Sequence, residues 1–303
     1  MKIIMPGWTT LSLALLVVLL GLAACDRTTD SEIDGMVSVG THSLHIRCIG
    51  RGRKSSPTVV IDTGFGDSSA KWDDMQAQIA PYARVCTYDR AGYGTSEPGP
   101  LPRHSQRVAD ELKCLLENAG VEGLYVLVGH SLGGLNVQVF ADRYPDLVAG
   151  LVLLDPPPLQ FITGEAFPEL YQMAEQQTSE LWQAAEAARQ ATDPEEQAKA
   201  NYFETLASEH SMFNTKSAAQ AVGIESFGDT PLVVVASGKP NPAFGEAAEA
   251  FQQFWIERSQ ELATKSTNGT FMLAEESSHH LYADVPNLVL DAIRQAVEQA
   301  SKR

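Results

Sequence analysis

Gly129-His130-Ser131-Leu132-Gly133 sets a hydroxyl between two glycines in a G-x-S-x-G pattern. The pattern alone is weak, because glycine and serine are common residues. Its surroundings give it weight. The apolar run LYVLV, residues 124–128, leads straight into it, and a helical stretch through LGGLNVQVFADRY follows until Pro145. A serine on a sharp strand–turn–helix junction is exposed, and its neighbours come so close that a Cβ on them would clash. Gly129 and Gly133 meet that demand, and Gly134 lets the helix pack closely. The helix N-terminus adds positive potential beside a developing oxyanion. The chemistry that fits is nucleophilic attack by Ser131 on an acyl carbon. The bland alternative is a glycine-rich turn with no chemistry.

Such a serine needs a histidine base from further along the chain. Of seven histidines, His42 and His45 belong to an early strand, His104 to a Pro-rich loop and His210 to a helical stretch. His130 sits in the turn itself, with its side chain expected to point away from the attack site. His279 and His280 remain, in a loop after the run FMLAE and before the last helix. For the acid, Asp155 closes the apolar run GLVLLD. A carboxylate there should be partly buried and needs a partner, which an imidazole N–H would supply. Otherwise Asp155 merely caps the turn at Pro156-Pro157-Pro158.

The elements that must position these groups alternate along the chain. HSLHIRC, TVVIDTG, RVCTYD, LYVLVG, GLVLLD, PLVVVAS and FMLAE read as strands. Helices are expected at residues 72–82, 107–119, 132–144 and 286–300. Short, β-branched, nearly all-apolar strands between helices imply a mostly parallel sheet covered on both faces. Residues 157–228 break the rhythm: they are helical, rich in Gln, Glu and Ala, and read as an inserted helical cap. Phe161, Phe167, Tyr171, Trp182, Tyr202, Phe203 and Phe213 recur there. Most should anchor the insertion, and a few should line a pocket.

GHSLGG, preceded by TVVIDTGFG and followed by SSHHLYADVP, resembles the α/β-hydrolase superfamily over about residues 37–300. The resemblance implies an α/β fold with an eight-stranded, mostly parallel sheet, and a Ser–acid–His triad. It favours His279 over His280, because His279 stands seven residues before Pro286. It allows the acid after either of two strands, which makes Asp155 the first choice and Glu246 the second. It implies an oxyanion hole from the N–H groups of Leu132 and Phe65. Thr63 departs from the commoner histidine of that loop. Asp89-Arg90-Ala91-Gly92-Tyr93-Gly94-Thr95-Ser96 resembles the family's D-x-x-G-x-G-x-S loop and is expected to be structural. The activity implied is hydrolysis of a carboxylic ester or related acyl compound, with a small apolar acyl substrate. A serine at the turn argues against dehalogenase or epoxide hydrolase chemistry, which in this fold uses a nucleophilic Asp. Acyl transfer, perhydrolysis and lactone opening would use the same triad. A non-catalytic envelope protein that binds an apolar ligand under the cap is the competing class.

The whole chain has 303 residues, 44% of them hydrophobic, with 22 Lys+Arg against 38 Asp+Glu for a net charge of −16. This excludes a disordered, collagen-like or polytopic membrane chain. The acidic balance disfavours nucleic acid and anionic lipid surfaces. There is no phosphate-binding G-x-x-x-x-G-K-[ST], no metal-ligand His cluster and no C-x-x-C, so no cofactor and no metal are implied. Asn268 heads an accidental glycosylation sequon.

Residues 1–24 read as an export signal, with Lys2, an apolar core at residues 11–22 and small residues before Cys25. Leu22-Ala23-Ala24-Cys25 resembles a bacterial lipobox, so Cys25 is the expected lipidation site and the expected means of membrane attachment. If the host is Gram-negative, Asp26 resembles a retention signal for the periplasmic side of the inner membrane. Residues 25–36 read as a tether, and residues 37–156 with 229–303 as the catalytic body. Cys48, Cys86 and Cys114 remain. In the family that this chain resembles, the strands carrying Cys48 and Cys86 are neighbours. The two cysteines are then either bridged or buried as free thiols.

Overall fold

The structure is a computed structural model and describes residues 32–51 and 56–302. Residues 1–24, expected to be an export signal, Cys25 and most of the expected tether lie outside the described residues.

Alternation along the central strands builds the architecture. In β3 (Thr58–Asp62), Val59 and Ile61 face one layer and Val60 faces the other. In β5 (Tyr125–His130), Val126 and Val128 side with the first layer, Tyr125 and Leu127 with the second. β6 (Val148–Leu154) and β7 (Leu232–Ser237) repeat this, and every residue in both is buried. Strands buried on both faces need a helix layer on each side. β1 (Ile33–Ser38), β2 (Ser43–Ile49), β4 (Val85–Tyr88) and β8 (Gly269–Ala274) complete one eight-stranded sheet, in the order β1-β2-β4-β3-β5-β6-β7-β8. β2 pairs antiparallel with β1 and β4, and the other pairs are parallel.

α1 (Asp73–Ile79) and the last helix cover one face, and α2 (Ser105–Asn118) and α3 (Leu132–Arg143) the other. Between β6 and β7 lie α4 (Leu159–Ile162), α5 (Pro168–Gln190), α6 (Pro194–Ala198), α7 (Ala200–Met212), a π turn at Phe213–Ser217 and α8 (Ala218–Val222). After β7 come α9 (Ala248–Ala263), then α10 (Leu281–Asp284) and α11 (Pro286–Ala300) after β8.

Two features differ from the sequence reading. β1 begins at Ile33, inside the stretch expected to be tether. It is an edge strand with every second residue exposed, so its apolar signal is diluted by Asp34 and Ser38. α9 follows β7, where no helix was expected, and it carries Phe251 and Trp255.

Cys48 and Cys86 are directly opposed across β2 and β4 and form a disulfide. Cys114, on α2, is free and half-buried. A cross-link over a sequence separation of 38 restricts the unfolded chain and stabilises by about 4 kcal/mol in the chain-entropy picture. Replacing both cysteines by alanine should remove roughly 3–4 kcal/mol on that same basis, read as a lower urea midpoint. A midpoint that matches wild type would show that the bridge does not form in solution.

Candidate active site

Ser131 joins β5 to α3 with φ 53° and ψ −120°, in the left-handed half of backbone space that a side chain rarely enters. Its N–H donates to the Leu154 carbonyl of β6 at 2.9 Å, which pins the turn to the neighbouring strand. A Cβ on Gly133 would fall 2.2 Å from the Asp62 carbonyl oxygen and 2.6 Å from that of Thr63, and one on Gly129 2.4 Å from the Gly133 oxygen. The two glycines are therefore required by close backbone approach, as expected from the sequence. The same approach sets the 63–66 loop against the turn that carries Ser131. Leu132 is the first residue of α3, where backbone N–H groups have no intrahelical acceptor.

His279 and Asp155 come together. His279 Nδ1 lies 2.6 Å from Asp155 Oδ2. Asp155 follows β6 directly, with φ 48°, and is 2% exposed. Its Oδ1 accepts from the Ser237 N–H at 2.8 Å and its Oδ2 from the Ser237 hydroxyl at 2.9 Å. Ser237 is itself held by Gln252, whose Nε2 donates to the Ser237 carbonyl at 2.7 Å. The loop before α10 is fixed by Asp284, which accepts from the Ser278 N–H at 2.8 Å and hydroxyl at 2.6 Å. Those bonds hold the Asp284 carboxyl below its ordinary range. His280 is exposed, and Glu246 is exposed on a short 3-10 segment at Pro242–Ala247.

Ser131, Asp155, His279 and His280 line one pocket of about 280 Å³. Phe161 and Phe213 of the insertion, and Phe244, Phe251 and Trp255 after β7, make its apolar wall, with Lys239 and Asn241 also lining it. Of the other insertion aromatics, Phe167 packs on Phe251 and Phe254, while Trp182 and Tyr202 are 40% and 38% exposed.

Three residues near the site were not singled out from sequence for the parts they play. Ser237 ends β7 beside the end of β6, and its position as a polar residue closing an apolar strand was a usable signal. Trp255 lies on the unexpected α9. His130 is buried beneath His279, their ring centroids 4.8 Å apart, and its Nε2 donates to the His279 carbonyl at 2.8 Å. Nε2 therefore carries the proton and Nδ1 is bare, without a hydrogen-bond partner.

Burial, reinforced by the neighbouring His279, pushes the His130 imidazole down to about 3. An unfolded histidine titrates near 6.5. Above that pH both states are neutral and stability is unaffected. As pH falls from about 6.5 toward 3, the unfolded chain binds a proton that the folded chain refuses, and stability drops by up to about 1.4 kcal/mol per pH unit. His130→Gln should flatten the fall in urea midpoint between pH 6 and 4 relative to wild type. Parallel slopes for the two proteins would show that His130 titrates normally.

The 63–66 loop is bound to the rest of the protein by Arg90, which is 1% exposed. Its Nη1 donates to Asp62 Oδ1 at 2.8 Å and to the Thr63 carbonyl at 2.7 Å, and its Nη2 to the Gly64 carbonyl at 2.9 Å. Asp89 accepts from the N–H groups of Ser69 at 2.7 Å and Thr95 at 3.0 Å, the structural use expected of it.

A family model described as alpha/beta hydrolase fold matches residues 57–222. Among curated proteins, the uncharacterized protein YqjL of Bacillus subtilis (strain 168) is 27% identical over 239 residues, covering 79% of this chain and 83% of that protein. A protein of Hormonema carpetanum named probable transporter efuK is 35% identical over 133 residues, covering 42% of this chain, and the chain spans only 19% of its length. A solved thermophilic esterase of Thermogutta terrifontis has TM-score 0.64 at 19% identity, covering 89% of this chain and 99% of that one.

Proposed function

The chain belongs to the alpha/beta hydrolase fold family, and on that premise we propose that it is a serine hydrolase acting on carboxylic esters or related small apolar acyl compounds. One observation carries the reading: the 2.6 Å bond between His279 Nδ1 and Asp155 Oδ2, in the pocket that Ser131 also lines.

With Nδ1 committed to Asp155, His279 Nε2 is free to take the Ser131 proton as the hydroxyl attacks the acyl carbon. The carbonyl π electrons move to oxygen, and the N–H groups of Leu132 and Phe65 receive the oxyanion. Collapse expels the alcohol, which takes the proton from His279 and leaves an acyl ester on Ser131. Water then repeats the sequence, with His279 as base, and releases the acid. Asp155 holds the imidazole in the tautomer that leaves Nε2 bare and stabilises the imidazolium. Ser237 keeps Asp155 aimed, since it occupies both carboxylate oxygens. The aromatic wall favours an apolar acyl or alcohol group, and its size limits that group's length.

A fluorophosphonate probe tests the reading. The folded chain should be labelled on the peptide containing Ser131 and should hydrolyse short nitrophenyl esters, with rates falling as the acyl chain outgrows the pocket. A folded chain that takes no label would favour a ligand-binding protein instead.

A further inference from the structure

The helical insertion reaches the loop that carries Phe65 through one buried ion pair. Beyond its bonds to Asp62, Thr63 and Gly64, Arg90 donates from Nε to Glu209 Oε1 at 3.0 Å and from Nη2 to Glu209 Oε2 at 3.1 Å. Glu209 belongs to α7 of the insertion, is 2% exposed, and also accepts from the Tyr93 hydroxyl at 2.8 Å. Removing such a pair from water is unfavourable unless the geometry satisfies both ions. Here the arginine fork is filled on both sides, by the loop and by the insertion.

The bond to the Gly64 carbonyl has a consequence for the next N–H. A trans peptide is planar, with its C=O and N–H pointing in opposite directions. Anchoring the Gly64 oxygen on Arg90 therefore turns the Phe65 N–H to the side away from the arginine. The same helix touches the loop elsewhere. The Phe65 ring meets the His210 ring edge-on at 5.2 Å, and a Cβ on Gly66 would fall 3.4 Å from Leu206 Cδ2 and 3.7 Å from the Tyr202 hydroxyl.

We propose that Arg90, clamped by Glu209, is the positioning residue of the oxyanion hole, and that α7 of the insertion is coupled through this clamp to the rate of acyl transfer to Ser131. The proposal rests on the serine-hydrolase reading above. With the clamp closed, the Gly64–Phe65 peptide is held with its N–H available to the oxyanion. With the clamp broken, the Gly64 oxygen keeps the longer 3.3 Å bond from the Asp67 N–H but loses the charged donor. The peptide then turns more readily, and the transition state loses a donor while ground-state binding in the aromatic pocket is unchanged.

The test uses the full chain with Glu209→Gln, Arg90→Met and Arg90→Lys. It measures kcat and KM on a nitrophenyl ester, and Ki for a trifluoromethyl ketone, whose adduct with Ser131 is a tetrahedral oxyanion. Active sites are counted by fluorophosphonate titration, so that rates refer to folded, reactive protein. Loss of one oxyanion donor lowers rates about 10²- to 10³-fold. On that scale Arg90→Met should lower kcat about 10²-fold and Glu209→Gln roughly tenfold. KM should stay within about twofold, and Ki for the ketone should rise in step with the fall in kcat. Arg90→Lys keeps the charge without the planar fork and should not restore kcat. Glu204→Gln, on the same helix but paired with Arg189, should behave as wild type.

Arg90→Met leaves two buried carboxylates unpaired. If it does not fold, Glu209→Gln and Arg90→Lys carry the test. Variants that lower the melting temperature but keep kcat per titrated site and ketone Ki, or that raise KM alone, overturn the coupling. A wild-type chain that is neither labelled nor active overturns the functional reading and this proposal with it. A labelled, active wild type with unmoved variants overturns this proposal only.

Discussion

Ser131→Ala is expected to lower kcat on a nitrophenyl ester by as much as about 10⁶-fold, the scale seen when a triad nucleophile is removed. The melting temperature should barely move. The residue keeps its left-handed φ of 53°, a conformation that strains alanine and serine alike. The loss is therefore confined to chemistry: no alkoxide forms, and His279 has no proton to accept. A residual rate above that of water is expected from the oxyanion donors and from binding. Fluorophosphonate labelling should disappear with the hydroxyl. A fall smaller than about a hundredfold, with labelling retained elsewhere in the chain, would mean that Ser131 is not the nucleophile.

Asp155→Asn is the second large effect, at about 10⁴-fold in kcat. The two side chains have the same shape, so the hydrogen bond from the Ser237 N–H to Oδ1 is retained. The other end changes from acceptor to donor. It then faces His279 Nδ1 with N–H groups, which makes Nδ1 the acceptor and forces the imidazole proton onto Nε2. An Nε2 that already carries a proton cannot take one from Ser131. The imidazolium also loses its counter-charge. The comparison is Glu246→Gln, which removes an exposed carboxylate and should leave kcat within about twofold, as surface changes usually do. Stopped turnover in Glu246→Gln with normal turnover in Asp155→Asn would reverse the assignment of the acid.

The sheet was legible where burial is two-sided. β3, β5, β6 and β7 are continuous apolar runs, and runs of that kind have few alternatives to a covered parallel strand. β1 was not legible, because an edge strand with one face in water carries half the signal. The 248–263 helix was hidden between two stronger strand patterns. Its Phe251 and Trp255 could be assigned to the pocket only once α9 was placed beside β7.

By itself the sequence determined the local geometry of the serine turn. The G-x-S-x-G turn, the apolar strand before it and the helix after it specify a strained serine, because only glycine tolerates the close approach on both sides. It also narrowed the candidate base to His279 and His280. Together with the family resemblance, it made Asp155 the first candidate acid and Glu246 the second, because a carboxylate closing a buried strand needs a partner. Tertiary structure decided what pairs with what. Asp155 takes Ser237 across 82 residues, His130 takes the carbonyl of His279 across 149, and Arg90 takes Glu209 across 119. Cys48 and Cys86 read equally well as a bridge or as two thiols until the β2–β4 register placed them face to face. The physical reason is common to all four. Backbone preference and burial are encoded over a few neighbouring residues. A hydrogen bond or a disulfide instead needs two atoms within about 3 Å, and only the folded sheet fixes that separation.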